Sequence, residues 1–171
     1  MDFYHTQNTD NNSNHQNLTL SIQAKICQNQ DDTEQAQVLL EKALSLSSKS
    51  VKRQKQYAQV CSENNDLDKA AQAYRKTIGL ATHSIHHSAE NTFDLAQCLT
   101  DAAAQSSPEE AKKLAKEAMD SLAQATKEFD DSEVALNAKL LESGVYCAVK
   151  DETKAEEALQ QASQLNEKIG T

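Results

Sequence analysis

At 171 residues, with three Gly, one Pro and a formal net charge of −9, the chain is long enough for one domain with a real core and is poor in helix breakers. The acidic balance speaks against a nucleic-acid-binding surface, which needs a net basic face. No run approaches the roughly 18 apolar residues of a membrane span, and residues 1–17 lack the basic start and apolar stretch of a signal peptide, so a cytoplasmic protein is expected.

Ala, Leu, Gln, Glu and Lys are abundant and residues that favour sheets are few, which predicts an all-α fold. Residues 1–17 (MDFYHTQNTDNNSNHQN) are polar, Asn-rich and aperiodic, and are expected to be a disordered tail. Phe3 and Tyr4 within them read as ordinary tail residues, a short docking motif being the alternative. The repeat domain then spans 18–171. Its first helix carries Leu18, Ile22 and Ile26 at helical spacing, with Leu20, Ala24 and Cys27 on the adjoining stripe. Asp32 with Gln35 reads as a capping box for a second helix bearing Ala36, Leu39, Leu40, Ala43, Leu44 and Leu46.

The stretch from Gln54 to Thr77 repeats that hairpin across a turn at Asn64-Asn65-Asp66. Ala24 and Ala58 are 34 residues apart, as are Cys27 and Cys61, Asp32 and Asp66, Ala36 and Ala70, and Leu40 and Tyr74. A third hairpin is expected from a helix over 85–104, with Ile85, Ala89, Phe93, Ala96, Leu99 and Ala103 inward. Ser107-Pro108-Glu109-Glu110 then opens a long helix to about Phe129. In the fourth, Asp131 or Ser132 caps a helix to about Val149 that is apolar on two faces, with Leu136, Leu140 and Cys147 on the second. The last helix, over 153–169, has one apolar stripe and a polar outer face, as a capping helix should. Cys27, Cys61, Cys98 and Cys147 lie far apart without a Cys-x-x-Cys pair and are expected to be reduced, buried, small apolar residues.

These periods and small residues resemble the tetratricopeptide repeat (TPR). The first repeat offers Ala24, Cys27, Ala36, Leu40 and Ala43; the second Ala58, Cys61, Ala70, Tyr74 and Thr77. The third fits as Ala96, Leu99, Ala111, Ala115 and Ala118, and the fourth as Ser143, Tyr146, Ala155, Leu159 and Ala162. Small residues let two helices cross closely, and the bulky ones fill the gaps beside them. From Ala70 to Ala111 is 41 residues and from Ala111 to Ala155 is 44, so the later units resemble the longer repeats of kinesin light chains. The family's Trp, most of its Gly and the Pro after its second helix are absent. The resemblance implies a right-handed α-α superhelix, or solenoid, of about four helical hairpins; a four-helix bundle or another hairpin array is the alternative.

The resemblance further implies that the first helix of each hairpin lines a groove holding a segment of a partner protein. By position that groove takes Ser21, Lys25, Gln28 and Asn29, then Lys52, Lys55, Gln59 and Ser62, then Glu90, Phe93, Gln97 and Thr100, then Asn137 and Leu140. Among them Lys25, Lys52, Lys55, Gln59, Phe93 and Gln97 are the partner-binding candidates, the lysines forming a basic strip for an acidic segment. Lysines on a solvated face are the plainer reading. Lys25 and Gln59 stand where the carboxylate-clamp subclass wants Asn, which disfavours a chaperone co-factor.

His83, His86, His87 and Glu90 form the one constellation with chemical potential, since His83 and His87 share a face of a continuous helix. It falls where a turn between hairpins belongs, and no His-Glu-x-x-His is present. No nucleophile motif or Gly-rich phosphate loop occurs. The sequence therefore reads as a non-catalytic protein-interaction module, an adaptor, assembly factor or complex subunit, with no cofactor and no metal. The alternatives are a small acidic secretion chaperone, a metal-binding protein built on the His cluster, and a self-assembling protein with the first helix as a homodimer contact.

Overall fold

The computed structural model describes the backbone of residues 3–170 and the side chains of residues 15–170. Among these residues there are eight α-helices and no strand: α1 (Phe3–Asn29), α2 (Thr33–Leu46), α3 (Val51–Glu63), α4 (Leu67–Ala81), α5 (Ala89–Ala104), α6 (Pro108–Glu128), α7 (Ser132–Ala148) and α8 (Glu152–Ile169). The all-α fold and the four hairpins follow the sequence reading. Two compact units are formed, the first running to Leu80 and the second starting at Ala81.

Local chemistry fixes the helix starts. The side chains of Asp32, Ser50, Ser107, Asp131 and Asp151 accept hydrogen bonds from backbone N–H groups of the first turns of α2, α3, α6, α7 and α8. Three of the four hairpin turns share one further device. Asp31, Asn65 and Lys150, each one residue before the aspartate that opens the second helix, adopt φ of 60°, 58° and 62°. A left-handed residue there reverses the chain within three positions and lets the next aspartate cap. The α5–α6 turn, over 105–107, is equally short but lacks it.

In the first unit Ala24, Ala36, Leu40 and Val60 are fully buried, with Leu39, in one core cluster that draws on α1, α2 and α3. The short side chains of Ala24 and Ala36 let α1 and α2 approach, and Leu40 fills the space toward α3. In the second unit α5 packs on α6 and α7, and α7 on α6 and α8. There Ala96, Leu99, Ala118, Leu122, Ala138, Val145 and Ala162 are buried.

Several expectations change. Helix α1 begins at Phe3, inside the stretch read as a polar tail. No apolar stripe announces that extension, and Phe3 and Tyr4 lie outside the residues whose side chains are described. The helix expected over 85–104 starts only at Ala89, after an extended Ser88. Ala81 O accepts from Ser84 N, Ser84 O from His87 N and His86 O from Asn91 Nδ2, so a turn rather than a helix satisfies this backbone. Ile85 is left 96% exposed instead of inward. Of the cysteines, Cys61 and Cys98 are buried, Cys27 is half-buried and Cys147 is exposed. The second apolar face of α7 is correspondingly open at Leu140.

Candidate functional site

The partner-binding candidates fall into both units. In the first, α1 and α3 lie side by side, because Arg53 Nε donates to Ser21 Oγ at 3.0 Å and Gln56 Nε2 donates to Gln28 Oε1 at 3.0 Å. Lys25 sits between Ser21 and Gln28 on α1, so it belongs to the same seam. On α3, Lys52 and Gln59 are exposed and Lys55 is half-buried, on the side away from the core residues Ala58 and Cys61.

The seam contains a residue that motif reasoning passed over. Arg53 is held by Ser21 Oγ and by the carbonyl of Ser47, 3.4 Å from Nη1. Partial burial lowers its pKa from a very high ordinary value, and it remains a cation. Its signal was in the sequence: α3 opens Val51-Lys52-Arg53-Gln54-Lys55, three cations in four residues. Residues 15–30 and 51–62 contain no Asp or Glu at all, in a chain of net charge −9. Lys25, Lys52, Arg53 and Lys55 therefore gather on one pair of helices with no carboxylate on either segment. Ser21 and Gln28 are already engaged in helix-to-helix bonds and serve to join the helices.

The carboxylates of this unit lie elsewhere. Tyr57 Oη donates to Glu41 Oε1 at 2.7 Å, and Lys69 Nζ is 3.2 Å from both Glu41 and Asp66. Gln37 Nε2 donates to Asp66 Oδ2, and Asn64 Nδ2 to Gln37 Oε1. The Tyr57 hydroxyl, then Lys69, holds the Glu41 carboxyl below the ordinary range; desolvation works against this. Asp66 is likewise lowered, desolvation being outweighed by Lys69 and Gln37 together. Burial and the bond to Glu41 push the Tyr57 phenol up. The network borders an open cavity of about 300 Å³ between α2, α3 and α4, whose wall includes Leu44, Ala73 and Lys76.

In the second unit the candidates are more dispersed. Phe93 is half-buried, and Gln97 is exposed with its Nε2 on Asp101 Oδ1 at 2.8 Å. Thr100, expected in the groove, is buried with its hydroxyl on Ala96 O. The histidines do not converge. His83 and His86 are exposed on the turn, while His87 Nε2 lies 2.9 Å from Glu128 Oε1 with its ring against Phe129. No group of three or more His, Cys, Asp or Glu among the described residues is arranged to hold a metal ion. Nor is any helix among them long and apolar enough to cross a membrane.

No protein-family model and no curated protein matches the sequence. Solved structures do. A thermophilic TPR protein of Thermus thermophilus matches with a TM-score of 0.61 at 16% identity, covering 88% of this chain and 75% of that one. The nearly identical TPR-like repeats of a putative kinesin light chain of Podosopora anserina match with a TM-score of 0.71 at 17% identity, over 90% and 76%. YrrB, a TPR protein with an unusual peptide-binding site, matches with a TM-score of 0.50 at 15% identity, over 85% and 84%. At these identities the likeness shows the fold, which is that of a TPR-like helical repeat.

Proposed function

We propose that this chain is a non-catalytic protein-interaction module that takes an acidic segment of a partner along the α1–α3 seam. The observation that carries the reading is the grouping of Lys25, Lys52, Arg53 and Lys55 on two helix segments without a carboxylate. A cationic strip on an acidic protein repels other acidic surfaces less at that one place, and so steers an acidic partner to it. Arg53 supplies a planar donor group already oriented by Ser21 and Ser47, while the lysines supply adaptable point charges. Gln59, on α3 with Lys52 and Lys55, adds amide donors and acceptors of the kind extended segments use. That one fold relative, YrrB, carries a peptide-binding site supports the class of ligand.

The test is affinity purification from the native cell with wild-type protein and the Lys25→Glu/Lys52→Glu/Lys55→Glu variant, each checked by circular dichroism. A partner retained by wild type and lost by the variant, with binding that weakens as salt rises, is the expected result. Equal retention by both proteins would rule out the seam.

A further inference from the structure

The first, second and fourth hairpins share a register, counted from the aspartate that opens the second helix: Asp32, Asp66 and Asp151. Six residues before it stand Ile26, Val60 and Val145. Val60 and Val145 are 0% and 1% exposed, and Ile26 is 49% exposed. Eight residues after it stand Leu40, Tyr74 and Leu159, exposed to 0%, 5% and 49%. Val60 and Leu40 belong to one core cluster, so the contact between the first two hairpins joins these two register positions.

The first hairpin thus leaves open the position that elsewhere receives a neighbour, and the last leaves open the position that elsewhere covers one. The two halves of a single kind of contact are exposed on the same chain. Ile22 (52% exposed) and Leu18 (59% exposed) extend the α1 half by one and two turns. Charge agrees: Glu156 and Glu157 are exposed near Leu159, whereas residues 15–30 hold Lys25 and no carboxylate.

We propose that copies of this chain associate head to tail, the α1 face of one receiving the α8 face of the next, with Ile26 packed against Leu159. The contact continues the packing already made by α2 on α3. It is heterologous, so each copy keeps one open face after pairing and further copies add in series. The proposal stands apart from the acidic-segment reading, which uses the neighbouring side of α1.

Sedimentation velocity over a range of protein concentrations tests it, using full-length wild type, Ile26→Glu and Leu159→Glu. Wild type should show species growing beyond dimer as concentration rises. Each variant alone should stay monomeric, because a carboxylate forced into the apolar contact weakens it by roughly tenfold or more. An equimolar mixture of the two variants should form dimers and stop there, since each retains the half that the other has lost. Circular dichroism confirms folding, which an exposed position should tolerate. A monomeric wild type at every concentration overturns the proposal, as does association indifferent to both substitutions. Association abolished by Ile26→Glu but untouched by Leu159→Glu also overturns it, in favour of a two-fold contact between α1 helices.

Discussion

Leu40 and Leu159 occupy one repeat position in two environments, and truncating each to Ala separates burial from sequence pattern. Leu→Ala removes three carbons, worth roughly 2.4 kcal/mol of transfer free energy at about 0.8 per carbon. Leu40 is fully buried among Ala24, Ala36, Leu39 and Val60, so its removal also leaves a cavity. The small neighbours cannot grow to fill it, and the total cost should reach about 3–4 kcal/mol. Leu159 is half exposed. Only about half of its transfer term is in play, and water fills the space, giving about 1 kcal/mol. Urea denaturation in dilute solution, where chains are monomeric, reads both as shifts in midpoint at constant slope. Equal losses for the two substitutions would refute the reasoning, because the pattern alone would then set the cost.

Other outcomes follow from the turns, the charge network and the thiols. Lys150 sits at φ 62°, so Lys150→Gly should stabilise by about 0.5–1 kcal/mol, the left-handed strain relieved exceeding the flexibility added; a lower thermal midpoint would count against it. Glu41 and Asp66 have lowered pKa values, so their contribution to stability is complete above the ordinary carboxylate range near about 4. It is lost as pH falls through the depressed values. Thermal midpoints between neutral and acid pH should therefore drop more for wild type than for Glu41→Gln/Asp66→Asn; equal drops would dismiss the network. Burial pushes the Cys61 thiol up to about 11, while Cys147 is exposed. Alkylation in native buffer followed by mass spectrometry should label Cys147 first and Cys61 only on unfolding, and early labelling of Cys61 would contradict its burial.

The elements most legible in the sequence were those with local chemical punctuation. Asp32 with Gln35, and Ser107 before Pro108, mark helix starts because capping needs only residues a turn apart. The small residues Ala24, Ala36 and Ala58 could be placed in the core because they recur at one spacing. Periodicity failed where it had to say which of two adjoining stripes is covered. Leu18, Ile22 and Ile26 fit a helix as well as Leu20, Ala24 and Cys27 do, yet only a neighbouring helix decides which stripe is buried. Ile85 deceived for a related reason: it lies one helical turn before Ala89, but the backbone between them turns. Arg53 was hidden because the groove pattern, carried over by position, had no place for it, and its role depends on Ser21 of another helix.

Among the described residues, every pair of helices that packs extensively lies one or two places apart along the chain. Contacts so near in sequence require little loop closure before they pay back their entropy. Folding should accordingly be rapid, without the slow search that distant strand pairing imposes. During synthesis α1 and α2 can meet as soon as Leu46 has left the ribosome, and within each unit every later helix has a formed neighbour to condense upon. The order of the chain is then also the order of assembly.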